Sequence, residues 1–171
     1  MLALTICLIF PLCLATAGFT DLFEMKIPNA IPLLMIAGFM LATLATGLPI
    51  ATVGQHLLAG LIVFIACFAM FAIGVMGGGD AKLLTAAALW FGMTMGLVQF
   101  MIMVAIAGGL LTLAILLIRN QANTLMALRI PLPRSITMEK KIPYGIAIAI
   151  GGFLTATQSP LIEAALKSAN L

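Results

Sequence analysis

LLTAAALWFGMTMGLVQFMIMVAIAGGLLTLAILLI, Leu83–Ile118, contains no charged residue. As a single helix it would extend about 54 Å at 1.5 Å per residue, far more than a hydrocarbon core of about 30 Å needs. The stretch therefore reads as two helices folded back on each other, with the reversal near Gly92–Gly96. That makes the chain a polytopic membrane protein. The composition agrees: of 171 residues, 64% are hydrophobic and 8% charged, and the mean hydropathy is +1.27, well outside the range of a soluble domain.

Upstream, further apolar runs lie at Met1–Phe19, Ile31–Thr46 and Val53–Val75; downstream, one lies at Ile142–Gln158, with Pro143 in its first turn. The expected fold is all-α, with about six transmembrane helices in a single domain covering 1–171. The first run has no basic residue before it, and Asp21 follows without a small-x-small cleavage site. It is expected to be a retained span and not a secretory signal.

The basic residues orient this layout, because Lys and Arg collect in cytoplasmic loops. Lys26, Lys82 and the group Arg119, Arg129, Arg134, Lys140 and Lys141 fall in three loops on one side; only Lys167 lies across the membrane. Both termini are then expected to be non-cytoplasmic. The basic loop, about 119–141, contains RIPLPR and is expected to lie along anionic headgroups. Since topology accounts for the net charge of +3, the bilayer is an expected partner and nucleic acid is not.

Cys7, Cys13 and Cys67 sit in apolar spans with no CxxC pair, and read as small buried hydrophobes. His56, near the outer end of its span, reads as an isolated interfacial histidine. The twelve methionines read as packing. No metal and no cofactor is expected: zinc-ligand spacing, a dinucleotide fingerprint and a Walker motif are all missing.

The acids are more informative. An ionisable group at membrane depth is costly and marks a functional candidate. Asp21 and Asp80 each adjoin a span on the cytoplasmic side, while Glu24 and Lys26 lie further out, where a solvated pair accounts for them; Glu139 and Glu163 fall in the long loop and the tail. Asp80 just before a helix could be an ordinary N-cap. Capping does not explain Gly77, Gly78 and Gly79, since a glycine run at the membrane boundary exposes backbone that lipid cannot satisfy. It suits a wet cavity or the close approach of another backbone, such as a peptide substrate. Two aspartates on one face suggest a dyad sharing a proton and activating water. Asp21, at a helix C-terminus, is expected to keep the proton and Asp80, at a helix N-terminus, to ionise first.

TDLFEMKIPNAI, Thr20–Ile31, resembles the first signature of the type IV prepilin peptidases, an aspartate followed closely by IPN; GGGDAKLL, Gly77–Leu84, resembles their second, the GxGD motif of intramembrane aspartic proteases. The resemblance implies an aspartic endopeptidase that removes the basic leader from prepilins and pseudopilins at the cytoplasmic face. It implies Asp21 and Asp80 as the catalytic pair, and Pro28, Asn29 and Glu24 as residues that shape the site, Glu24 without a catalytic role. Pilus assembly machinery is a further implied partner. Larger members carry a long cysteine-bearing region between the first two spans and also N-methylate the pilin. Here only Thr20–Ala30 joins those spans, so methyltransferase activity is not expected. The short form, with KIPYGIAIAIG at Lys141–Gly151, is similar to the peptidases of Flp-type, tight-adherence systems. Lys82 keeps two readings, a topology anchor or a stabiliser of the site. Two other functions stay open on the residues alone: a small proton-coupled transporter or channel subunit using the same aspartates, and a membrane assembly partner packing through Gly108, Gly109, Gly145, Gly151 and Gly152.

Overall fold

The computed structural model describes residues 8–120 and 142–168. Within them lie α1 (Ile9–Glu24), α2 (Ala30–Thr46), α3 (Ile50–Ala72), α4 (Gly78–Phe91), α5 (Met95–Asn120), α6 (Tyr144–Thr155), a 3-10 turn at Ala156–Gln158 and α7 (Pro160–Ser168). Cys7, Glu139 and the basic loop beyond Asn120 lie outside the described residues.

The reversal expected near Gly92–Gly96 is found there. Helix α4 ends at Phe91 and α5 starts at Met95, with Gly92 at φ +63, a left-handed turn that favours glycine. A Cβ at this position would also lie 3.0 Å from the His56 ring.

Two helices, α3 with 23 residues and α5 with 26, are long and apolar enough to cross a membrane; α6 and α7, bent by 48° at their break, make a third if the pair is one span. Leu57, Leu61 and Phe64 on α3 and Leu110, Leu113 and Leu117 on α5 are exposed, as side chains facing lipid would be. The described parts of α1 and α2 have 16 and 17 residues.

Helix α4 forms the centre. Its 14 residues reach about 21 Å. From Ala81 to Phe91 every residue except Lys82 and Thr85 is buried, and α2, α3, α6 and α7 pack around it. A helix that is apolar on all sides has to be enclosed in this way, and the run Ala86–Ala88 lets its neighbours come close. Helix α6 in turn packs between α1 and α5.

Ending α4 inside the protein leaves carbonyls that lipid cannot satisfy, and side chains from other elements supply the donors. His56 Nδ1 donates to the Leu89 carbonyl at 2.7 Å, and Ser159 Oγ to that of Trp90 at 2.5 Å. Trp90 Nε1 donates to Met35 of α2 at 3.1 Å. His56 is therefore not the isolated interfacial residue expected: it is 1% exposed and caps a buried helix end. Nor are the residues after Gln158 a plain tail. Leu161, Ile162 and Ala165 of α7 are buried, while Glu163 and Lys167 form an exposed ion pair at 2.6 Å, so α7 is an amphipathic cover over α2 and α4.

Four of the five glycines weighed for intermolecular packing face partners within the chain. Gly108 receives the Tyr144 ring, Gly145 the Asp21 side chain, Gly151 Val104 and Gly152 Leu14; a Cβ at Gly109 would meet nothing within 4 Å.

Candidate active site

Three helix ends build the site: the C-terminus of α1 and the N-termini of α4 and α6. Asp21 stands in the last turn of α1, past the apolar run that ends at Phe19, and is buried at 6% exposure. Its backbone carbonyl accepts from Met25 N–H at 3.1 Å. Met25 has φ +54, a left-handed conformation costly for a side chain of its kind, and from it the chain turns into the loop that reaches Asn29.

The Asp21 carboxyl meets the start of α6. Gly145 N–H, one of the first-turn amides with no intrahelical acceptor, donates to Asp21 Oδ2 at 2.6 Å. Burial raises the Asp21 pKa above the ordinary carboxylate value, and the Gly145 hydrogen bond works against that rise. The shift is toward the protonated form, and burial is its main cause.

Asp80 is not an N-cap. Gly77 takes that position with an extended φ of −70 and ψ of 143, and Asp80 falls in the first turn of α4. It is half-buried.

The three glycines fit against protein on three different sides. A Cβ at Gly77 would lie 2.7 Å from Asp80 Oδ2, one at Gly78 3.2 Å from the Phe71 ring and one at Gly79 3.1 Å from Ile27 Cβ. Ile27 also comes within 3.1 Å of a Cβ on Gly145. It is therefore a wedge shared by the Asp21 loop, the start of α4 and the start of α6.

A cavity of about 470 Å³ is lined by Asp21, Glu24, Pro28, Asn29, Gly77–Gly79 and Asp80, together with Met25, Lys26, Ile27 and Ile142. Every expected site residue except Lys82 thus faces one space. Lys82 is exposed and donates to Asn29 Oδ1 at 2.9 Å, which ties α4 to the loop after α1. Glu24 and Lys26 are both exposed. Among the described residues no three of His, Cys, Asp and Glu gather as a metal site.

Sequence reading missed Ile27 and the function of the Gly145 amide, and gave Ile142 no place at the site. Only KIPYG carried a usable signal, since a helix starting at Tyr144 presents unpaired amides. The chemistry open to this arrangement is that of two carboxyls lining one cavity, with the Asp21 pKa raised by burial.

The type IV leader peptidase family matches residues 8–117, a stretch that includes both aspartates and most of the helical core. The chain belongs to that family of aspartic-type leader endopeptidases. Neither curated proteins nor solved structures give a match.

Proposed function

We propose that the chain cleaves the basic leader from type IV prepilins of the Flp type at the cytoplasmic membrane face, with Asp21 and Asp80 as its catalytic dyad. The single observation that carries this reading is the cavity the two carboxyls share with the IPN loop and the glycine turn. In the proposed reaction Asp80 takes a proton from water as the water oxygen bonds to the peptide carbonyl carbon. Asp21, protonated at the start, donates toward the carbonyl oxygen. Collapse of the tetrahedral intermediate re-forms C=O and breaks the C–N bond: one hydroxyl proton returns to Asp21, and the departing amine takes up the proton held by Asp80.

The acidic side chains at the cavity suit a cationic leader. The same reading has about six spans, both termini non-cytoplasmic and the loop of about 119–141 on the cytoplasmic leaflet of a bacterial inner membrane. Purified protein in lipid, given a pilin precursor, is expected to yield shortened pilin without added nucleotide, and Asp21→Asn and Asp80→Asn each to abolish this while remaining folded. Full cleavage by either variant rejects the dyad. Aspartate-dependent proton flux without proteolysis would favour transport instead.

A further inference from the structure

Asn29 stands where the loop after α1 enters α2. An asparagine in that place usually gives its side-chain oxygen to a first-turn amide of the helix it precedes. Here the backbone of Asn29 is already helical, with φ −60 and ψ −23, and its side chain makes no capping bond. Oδ1 accepts instead from Lys82 Nζ of α4, at 2.9 Å and across 53 positions of sequence. An ammonium group only donates, so the atom that faces it has to be the amide oxygen. The N–H bonds of Nδ2 are thereby turned away from Lys82, and among the described residues they have no acceptor.

We infer that Asn29 donates through Nδ2 to a backbone carbonyl of the bound peptide, and that Lys82 is a positioning residue that holds the amide in the orientation this bond needs. The inference rests on the leader-peptidase reading above. Asn29 lines the cavity that holds Asp21 and Asp80, whereas Lys82 is not part of its wall. A peptide extended through that cavity loses water from its carbonyls, and each carbonyl so stripped needs a donor from the protein. Besides the catalytic proton of Asp21, only Lys26 among the other side chains of the wall donates; the rest are carboxyls, apolar groups or glycines. Lys26 is exposed on a flexible stem and sets no direction.

The Asn29 amide, by contrast, is fixed from two sides. Its bond to Lys82 has an ionised donor, the stronger kind. The loop that carries it is braced by Ile27, packed against Gly79 and Gly145. Lys82 itself is exposed while Ala81, Leu83 and Leu84 beside it are buried, so its ammonium reaches Asn29 over the surface of α4 without entering the core.

The test measures KM and kcat separately, in lipid, with one pilin precursor peptide. Asn29→Asp keeps an oxygen for Lys82 and removes the N–H donors. It should raise KM by roughly tenfold with kcat within about twofold, the pattern of a lost binding contact. The added negative charge alone would attract a cationic leader and lower KM, so the two effects have opposite signs. Lys82→Met keeps the stem but frees the amide to rotate, and should raise KM about threefold. Lys82→Arg, another donor-only cation, should restore the wild-type KM to within about twofold. Because Lys82 acts through Asn29, Lys82→Met should add nothing in an Asn29→Ala background. If Asn29→Ala does not fold, Asn29→Asp, which keeps the tie to Lys82, decides alone. A wild-type KM in Asn29→Asp means that the pair only ties the loop to α4, and a Lys82→Met effect that persists in the Asn29→Ala background means that Lys82 acts elsewhere. Either result overturns this inference and leaves the peptidase reading standing. Absence of cleavage by the wild type overturns both.

Discussion

The amide of Gly145, at the start of α6, donates to Asp21 Oδ2 at the end of α1 over 2.6 Å, and the two residues are 124 positions apart. Gly145 has no room for anything larger: a Cβ would lie 2.9 Å from both Cβ and Oδ2 of Asp21 and 3.1 Å from Ile27 Cδ1. Gly145→Val should therefore move the carboxyl off its position. Misplacing a reacting group by about 1 Å costs on the order of 100-fold in rate. The expected outcome is a kcat lower by roughly that factor, with helicity and membrane insertion retained. An active Gly145→Val enzyme would show that the bond does not position the acid.

The raised pKa of Asp21, caused first by burial, has consequences of definite sign. A carboxyl whose folded-state pKa lies above its unfolded value contributes full stability below the unfolded pKa, and that contribution is lost as pH rises through the folded pKa. Asp21→Asn keeps an oxygen to accept from Gly145 and removes the charge. Thermal unfolding at neutral pH should then find Asp21→Asn at least as stable as the wild type, with the difference shrinking as pH falls below the raised pKa. Catalysis has the matching sign: if Asp21 must enter as the acid, kcat/KM falls as pH rises through that same value. A less stable Asp21→Asn protein at neutral pH would contradict the burial account.

Gly79 tests what the glycine turn is for. A Cβ there would lie 3.1 Å from Ile27 Cβ, tight enough that the neighbour has to give way. Gly79→Ala is expected to cost little, whereas Gly79→Leu should push the Asp21 loop away from α4 and depress cleavage by tenfold or more, as lost positioning does. If packing on Ile27 is the reason, Ile27→Ala should restore part of the loss in the double variant, a coupling between contacting residues. Additive losses would return the argument to space for a substrate backbone.

Much of this was legible because it was local. The charge-free run Leu83–Ile118 required a reversal, and Gly92 makes it. GGGD and TDLFEMKIPN were readable because each packs chemistry into a few consecutive residues, and GGGD together with Asp21 and Glu24–Asn29 lines one cavity. What could not be read depends on tertiary contact. The Gly145 amide has no side chain to mark it. Ile27 looked like part of an ordinary loop, yet its position between two glycines makes it a wedge. The nine residues of α7 contain Pro160, Glu163 and Lys167 and resemble a polar tail until their apolar face is seen against α2 and α4. Composition also says nothing of enclosure: α4 is apolar like its neighbours, but its 14 residues stop beneath α7.

That early stop gives the last prediction. Because α4 ends under α7, the carbonyls of Leu89 and Trp90 depend on His56 and Ser159 for donors. His56→Leu is close in size to the residue it replaces but leaves the Leu89 carbonyl buried without that donor, which costs about 1–3 kcal/mol. For a chain of this length the loss corresponds to a drop in Tm of roughly 2–12 °C. Ser159→Ala should do the same at Trp90, and the two losses should be partly coupled because the carbonyls are adjacent. Both residues sit at the end of α4 away from Asp80, so below the lowered Tm the kcat for leader cleavage should match the wild type. A His56→Leu protein that keeps its Tm but loses kcat would give the histidine a part in catalysis that its bond to Leu89 does not explain.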